Sequence, residues 1–257
     1  MTNMLCIFHS QLDCQTTNKV SMEIVHLDEP FKIQTLPLTK VYVLDDWLAQ
    51  PLHYHYDERI TSDNIWSKTN QVSSGSSTGL PHHSFWGATF FRYGHSMDND
   101  VRIEDVWFTN YLDRRLQTEF GFKWVRFQYA GLNSQTQGLE GTTHQDCSES
   151  DNWNLSFLYY PNRYWNPAWG GTLRLYDKPQ EGLDGREEHI KNHQIGEVEF
   201  KPNRLIMFDG RIPHGADAPD PSARYMDRRS LVIRGDEVRL EEEGENYHAD
   251  DRFSYIR

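Results

Sequence analysis

The sequence predicts a mainly β fold with flanking helices, of the sandwich or jelly-roll type. Six short segments in the second half are rich in β-branched and aromatic residues, and Gly, Pro, Asn and Asp separate them. Several short strands at such spacing are typical of two packed sheets. The length of 257 residues suffices for one such domain with a sizeable core. The predicted strands are 124–129, 154–160, 172–176, 196–200, 204–208 and 228–234.

The first 120 residues are predicted to add helices and an edge strand, the strand at 22–26. Asp45 and Asp46 stand before Trp47 and Leu48, a pattern typical of a helix start. The clearest helix runs over 100–120, and Gly121 ends it. Its apolar residues recur at helical spacings of three and four: Ile103, Val106, Trp107, Tyr111, Leu112 and Leu116.

Composition excludes several classes of protein. The net charge of −12 argues against a general nucleic-acid surface, which needs a basic footprint. Three cysteines are too few and too scattered for a disulfide framework. The N-terminus lacks the basic and apolar regions of a signal peptide, and no run approaches the ~20 apolar residues of a membrane span. We therefore expect a cytoplasmic protein with neither nucleic acid nor membrane as a partner.

Three residues in two distant segments predict a metal site. His144 and Asp146 are separated by one residue, so on an extended strand their side chains point to the same face. His214 lies far downstream and can complete the set. Two histidines and one carboxylate on one face leave three positions open, the arrangement of non-heme Fe(II) oxygenases. The sequence therefore predicts His144, Asp146 and His214 as iron ligands.

Two further His-x-Asp pairs do not share this context. His55 and Asp57 lie near a predicted helix, where residues i and i+2 do not face the same way. His248 and Asp250 lie in the acidic tail. Only the pair at 144 and 146 is followed by strands and by a suitably placed histidine.

Adjacent arginines on the last predicted strand offer a cation for a co-substrate carboxylate. Because side chains alternate along a strand, only one of Arg228 and Arg229 points into the fold. The register with Ser230 and Val232 favours Arg228 as the inward residue. We expect Arg229 to be a surface residue whose substitution is nearly silent.

The segment 123–234 resembles the Fe(II)/2-oxoglutarate-dependent dioxygenases, specifically their prolyl-4-hydroxylase-like branch. The resemblance extends beyond the metal ligands, and Pro161 is a departure because the family usually has Leu there. The first 120 residues remain largely unmatched. The similar runs are LSFLYYPN at 155–162, Trp165, GGTLRLY at 170–176 and KPNRLIMF at 201–208.

The resemblance implies a double-stranded β-helix, a cupin-like jelly roll, in a single domain spanning 1–257. Within it, 1–122 would form N-terminal helices and edge strands, 123–235 the catalytic core, and 236–257 an acidic tail. The implied cofactors are Fe(II), 2-oxoglutarate and O2, with ascorbate as a stimulant. Succinate and CO2 would be the co-products. The carboxylate at 146 favours hydroxylation, because a small residue there would open a site for halide.

Six positions match functional residues of that family. Three would bind iron, one would pair with the distal carboxylate of 2-oxoglutarate, and two match tyrosines that line the co-substrate pocket in relatives. In that order they are His144, Asp146, His214, Arg228, Tyr160 and Tyr129.

The sequence leaves three alternatives for the substrate and the activity. One alternative is a prolyl residue of a peptide or protein, by analogy with the branch. Another is a free amino acid or small metabolite, and a third is a non-catalytic jelly-roll binding module. The loops at 69–81 and 178–194 and the N-terminal 120 residues would decide, because loops on a rigid scaffold carry specificity.

Overall fold

The computed structural model describes residues 21–28, 36–62, 65–71, 84–92, 103–122, 125–147, 155–179 and 186–237. Within these ranges the strands are β1 (Glu23–His26), β2 (Lys40–Leu44), β3 (Ser67–Gln71), β4 (Ser84–Arg92), β5 (Val125–Gln135), β6 (Leu155–Tyr159), β7 (Leu173–Tyr176), β8 (Gln194–Val198), β9 (Leu205–Asp209), β10 (His214–Ala216) and β11 (Arg228–Glu237), and the helices are α1 (Gln50–Ser62), α2 (Ile103–Arg115) and α3 (Arg186–His193).

The strands form two sheets. The major sheet has the order β1-β2-β9-β6-β11-β5-β4-β3, and the minor sheet has the order β10-β7-β8. Strands β1 and β2 are parallel, and the other described pairs are antiparallel. The predicted mainly β architecture is confirmed, with helices outside the sheets.

The major sheet buries both of its faces, as the alternation along β11 shows. Leu231 and Ile233 belong to a core that includes residues of α1 and α2. Val232 points the other way, into a second core shared with the minor sheet. Because successive side chains of a strand leave opposite faces, one strand supplies both cores. The second core is the interior of the jelly roll, where the candidate site lies.

Several predicted elements have different bounds in the structure. Strand β5 continues to Gln135, beyond the predicted end at 129, because it pairs with β4 on one side and β11 on the other. The predicted insertion at 178–194 contains α3 and the first residue of β8. The predicted loop at 69–81 lies within the described residues only at 69–71. The acidic tail lies within them only at 236–237.

The predicted helix start at Asp45 and Asp46 is wrong by several residues, because α1 begins at Gln50. Asp46 has φ of 51°, a left-handed conformation, whereas a helix N-cap has extended dihedrals. Asp45 instead accepts hydrogen bonds from Arg204 and Lys201.

Arg229 fixes α1 to the major sheet, and the expectation that it is a surface residue is wrong. It is 8% exposed. Its Nη1 lies 2.9 Å from Asp57 Oδ1 and also donates to Thr61 Oγ1, both on α1. Arg163 Nε approaches the other oxygen of Asp57 at 3.1 Å. Arg229 does point away from the interior of the jelly roll, as the register predicted, but a helix covers that face.

Candidate active site

The structure brings His144, Asp146 and His214 together at one end of the minor sheet. His144 forms an isolated antiparallel bridge to His214, the first residue of β10, and each backbone N–H donates to the other's carbonyl. The backbone N–H of Asp146 donates to Gly210 O at 2.8 Å. One potential ligand atom from each residue lies within 4.8 Å of the other two. A single bridge holds His144, rather than the longer strand that the sequence suggested.

Both histidines turn Nε2 towards the centre of this group. His144 Nδ1 lies 2.8 Å from Thr142 O, and His214 Nδ1 lies 2.9 Å from Ile212 O. A carbonyl only accepts, so in the neutral ring each Nδ1 carries the hydrogen and each Nε2 keeps its lone pair. Burial lowers the pKa of His214 to about 4, although the Asp146 carboxylate opposes this shift. His214 is therefore neutral at physiological pH, as a metal ligand must be.

Asp146 supplies the negative charge of the group. Burial favours its neutral form, but the charge of Arg234, with smaller contributions from the two histidines, outweighs burial and holds the pKa of Asp146 well below its usual range. Ser156 Oγ donates to Oδ2 at 2.7 Å, and Arg234 Nη2 lies 2.5 Å from Oδ1. The side chain of Asp146 is thus ionised and oriented by its neighbours.

The donor set fits a divalent metal such as iron. Oδ1 of Asp146 is buried without a well-aligned hydrogen bond among the described residues. It lies 3.5 Å from His144 Nε2, and Oδ2 lies 3.6 Å from His214 Nε2. Two histidines and one carboxylate at these distances suit Fe(II).

A glycine allows the metal-ligand segment to pass close to the major sheet. A Cβ at Gly210 would lie 2.9 Å from Ser156 Oγ, 3.0 Å from Cys147 Sγ and 3.3 Å from Asp146 Cβ. Any larger residue at 210 would therefore displace Asp146 or the serine that orients it.

Arg228 lies in a closed pocket on the inner face of β11, and its side chain is 2% exposed. Nε donates to Gly171 O at 2.8 Å, Nη1 to Gln135 Oε1 at 2.8 Å and Nη2 to Tyr160 OH at 3.0 Å. All three acceptors are neutral, and within the described ranges no carboxylate forms an ion pair with Arg228. The Asp217 carboxylate attracts Arg228 without forming a direct ion pair with it. A buried guanidinium without a directly paired carboxylate is costly, so this site suits an anionic group.

The two predicted pocket tyrosines lie at opposite ends of β11. Tyr160 is fully buried beside Arg228, with its ring centroid 4.3 Å from that of Phe200. Tyr129 pairs in register with Arg234, whose guanidinium carbon is 5.1 Å from the Tyr129 ring centroid. The Tyr129 side chain lies over Gly131, where a Cβ would clash with its hydroxyl. Only Tyr160 contacts Arg228 directly.

Sequence reasoning did not identify three polar residues of the site: Gln135, Ser156 and Arg234. Arg234 carried a usable signal, because six residues separate it from Arg228 and an even spacing on a strand places both on one face. Ser156 and Gln135 gave none. Gln135 meets Arg228 through the pairing of β5 with β11, and Ser156 meets Asp146 where Gly210 passes close to the major sheet.

Residues 129–233 match the family model of the 2OG-Fe(II) oxygenase superfamily. This segment of the chain is similar to the superfamily, and it contains all three residues of the candidate metal group. The matched oxygenase domain and the metal group together support a dioxygenase that uses Fe(II), 2-oxoglutarate and O2, and the His144, Asp146 and His214 group can hold the iron. The enzyme class predicted from the sequence is confirmed, and the alternative of a non-catalytic binding module is set aside. No curated protein matches the sequence.

Solved structures of 2OG oxygenases share the fold. A prolyl hydroxylase from Trichoplax adhaerens, in complex with a peptide fragment of the hypoxia inducible factor oxygen degradation domain, has a TM-score of 0.50 and 17% identity, covering 77% of this chain and 83% of that chain. An oxidoreductase of the 2OG-Fe(II) oxygenase family from Burkholderia pseudomallei has a TM-score of 0.53 and 12% identity, covering 84% and 97%. At such identities the likeness establishes the jelly roll, and function must be argued from the site.

No helix in the described part of the chain is both long and apolar enough to cross a membrane.

Proposed function

We propose that the protein is a hydroxylase that inserts oxygen into an unactivated C–H bond of a prolyl residue in a peptide or protein, with succinate and CO2 as co-products. The observation that carries the proposal is the pairing of two sites in one interior. One is the group of two histidines and one carboxylate, and the other is the buried Arg228 with only neutral hydrogen-bond acceptors. A metal ion would bind to the first site, and a carboxylate of 2-oxoglutarate would bind to the second.

His144, Asp146 and His214 would hold iron, which supplies O2 activation coupled to the oxidative decarboxylation of 2-oxoglutarate. The Thr142 and Ile212 carbonyls fix the two imidazole rings by accepting from Nδ1. A carboxylate at 146 occupies a ligand position that would otherwise be open to halide, which favours hydroxylation.

Arg228 binds the distal carboxylate of 2-oxoglutarate with a forked, charge-assisted pair. The Tyr160 hydroxyl and the Gln135 amide hold the guanidinium in place, and the Phe200 ring, 4.9 Å from its carbon, closes the pocket to water. Exclusion of water strengthens the ion pair, because the local dielectric is low.

The prolyl assignment follows the branch that the sequence resembles, and the peptide-bound prolyl hydroxylase of similar fold is consistent with it. A free amino acid or small metabolite is the second candidate. The observation that favours it is a second cation, Arg234, beside the metal group, since small acids offer a carboxylate for such a residue.

The iron assignment is tested by replacing one ligand. His214→Ala should lose iron and abolish 2-oxoglutarate-dependent succinate formation while the circular dichroism spectrum stays that of the parent. His55→Ala is the matched control, because His55 is exposed on α1 and belongs to an unrelated His-x-Asp pair. Full iron content and activity in His214→Ala would show that the ligand set is wrong.

The co-substrate and the substrate are tested separately. Anaerobic calorimetry with Mn(II)-loaded protein should show 2-oxoglutarate binding, and its absence in a metal-loaded sample would contradict the proposal. Turnover to succinate should then be stimulated by proline-containing peptides, with one oxygen atom added to the proline by mass spectrometry. Stimulation by free amino acids or metabolites alone would select the second candidate.

A further inference from the structure

A buried asparagine, Asn162, holds the backbone on both sides of the arginine in the co-substrate pocket. We infer that Asn162 is a positioning residue for Arg228, and that His53 of α1 holds Asn162 in place. This inference rests on the proposed binding of 2-oxoglutarate by Arg228. It gives α1 a part in co-substrate binding, although α1 lies outside the residues matched by the superfamily model.

The amide of Asn162 is fully buried and makes two hydrogen bonds to the backbone. Its Oδ1 accepts from the backbone N–H of Arg229 at 3.0 Å, and its Nδ2 donates to the backbone carbonyl of Asp227 at 2.8 Å. These two groups belong to the peptide units on either side of the Arg228 Cα. One side chain therefore fixes the backbone from which the guanidinium side chain of Arg228 leaves.

The end of β6 explains why a side chain makes these bonds. Strand β6 pairs with β11 as far as Tyr159 opposite Leu231, and β6 ends there. Continuing the same register by three residues places Asn162 opposite Arg228. On the other edge of β11, Arg228 pairs with Gln135 of β5. The Asn162 amide thus replaces the backbone bonds of a strand on the side where β6 has ended.

His53 fixes the segment that carries Asn162. The His53 side chain is buried, and its Nε2 lies 2.9 Å from Pro161 O and 3.0 Å from Asn162 O. A carbonyl only accepts, so Nε2 carries the hydrogen and donates to both oxygens. The imidazole also packs edge-on against the ring of Tyr159, the last residue of β6. Hydrogen bonds therefore connect α1, through Asn162, to the backbone around Arg228.

A fixed backbone at Arg228 favours binding because the guanidinium is ordered before the anion arrives. Without Asn162 or its support, part of that ordering would accompany binding, and ordering one long side chain weakens affinity about three- to tenfold. The loss should affect only a ligand that has a carboxylate for Arg228.

Two ligands separate the positioning of Arg228 from general damage to the site. 2-Oxoglutarate has a distal carboxylate for Arg228, whereas oxalate chelates a metal ion and has no distal carboxylate. Each ligand is titrated by anaerobic calorimetry into Mn(II)-loaded protein. Asn162→Ala and His53→Phe should each weaken 2-oxoglutarate about three- to tenfold and leave oxalate within about twofold of the parent.

His53→Gln is the matched rescue. A glutamine amide can donate to the two carbonyls, whereas phenylalanine keeps the ring and loses the donor. His53→Gln should therefore restore 2-oxoglutarate affinity to within about twofold of the parent. Leu112→Ala is the control for a general loss of stability, because Leu112 is fully buried in the core on the other face of the major sheet. It should lower the Tm and leave both affinities unchanged.

Two results for Asn162→Ala would overturn the inference: unchanged 2-oxoglutarate affinity, or an equal loss for 2-oxoglutarate and oxalate. If Asn162→Ala does not fold, the two His53 variants decide by the same criteria. A selective loss in Asn162→Ala without one in His53→Phe, or without recovery in His53→Gln, contradicts the part assigned to α1. Parent protein that binds oxalate but not 2-oxoglutarate contradicts the proposed function itself. Normal binding of both by the parent, without a selective loss in the variants, contradicts only the positioning role.

Discussion

Arg229→Met should destabilise the fold and leave 2-oxoglutarate binding intact, whereas Arg228→Met should weaken 2-oxoglutarate binding. The two residues are adjacent, but their side chains leave opposite faces of β11. The side chain of Arg229 is 9% exposed and that of its partner Asp57 is 10% exposed. Removing Arg229 would leave the carboxylate of Asp57 buried, on the side of α1 that faces the major sheet, without its closest cation.

The expected loss in the free energy of unfolding follows from the burial of the ion pair between Arg229 and Asp57. Breaking a buried ion pair by removing one partner costs about 3–5 kcal/mol. Arg163 still approaches Asp57 at 3.1 Å, so we expect the lower end, about 3 kcal/mol. For a chain of this size that corresponds to a fall in Tm of about 6–12 °C. Burial raises the pKa of Asp57 even with both arginines nearby, so the attraction does not fully offset the desolvation.

Replacing both partners by apolar residues therefore provides the internal control. Asp57→Leu combined with Arg229→Met should recover most of the lost stability, since apolar replacement of a buried pair is often neutral. Thermal unfolding of the metal-free protein measures the stability of the parent, of Arg229→Met and of the double variant. A Tm of Arg229→Met within about 2 °C of the parent would refute the reasoning.

Calorimetry on Mn(II)-loaded protein compares the 2-oxoglutarate affinities of Arg228→Met and Arg229→Met. Arg228→Met should lower 2-oxoglutarate affinity by about one to two decades, because it removes a charge-assisted pair. Arg229→Met should leave that affinity within about twofold of the parent. A reversal of the two outcomes would exchange the roles of the two arginines.

Further substitutions test the pocket and the pH dependence. Gly171→Ala should weaken 2-oxoglutarate about tenfold in the same calorimetry, because Gly171 has φ of 80° and an added Cβ would lie 3.0 Å from Arg228 Cδ. Tyr160→Phe should lower the Tm, because it leaves one N–H of a buried guanidinium without its acceptor. Asp45→Asn should destabilise the protein at pH 7, since Arg204 and Lys201 outweigh partial burial and lower the pKa of Asp45 to about 2. Because that pKa lies below the unfolded value of about 3.9, the difference from the parent should shrink as pH falls from about 4 towards 2, with Asp46→Asn as the control. A difference that stays constant in urea titrations across this range would contradict the ion-pair origin.

The metal group was predictable from sequence because its signal is local and chemical. His144 and Asp146 are two residues apart, and the later histidine follows a strand that the pattern also predicts. Arg228 was predictable as the inward arginine because alternation along a strand fixes its face. The assignment of these residues to iron and co-substrate remains a prediction that the substitutions above test.

The environment of Arg229 was not predictable, because it depends on a partner 172 positions earlier in the chain. No periodicity in the sequence says that α1 covers the outer face of β11. The same holds for Ser156, whose contact with Asp146 requires the close approach at Gly210. Long-range packing determines the environments of Arg229 and Ser156, and local propensity carries no information about such packing.

The strand order of the major sheet has a consequence for work with fragments. The part matched by the superfamily model, 129–233, supplies β9, β6 and most of β11 and β5. The N-terminal half adds β2 and β1 beyond β9, and β4 and β3 beyond β5. Cutting the chain at the start of the matched part would leave two rows of backbone N–H and C=O groups unpaired. Such rows are templates for association with another chain. The N-terminal half thus covers the edges of β9 and β5, and an isolated core would expose these two longer-paired strands as new edges.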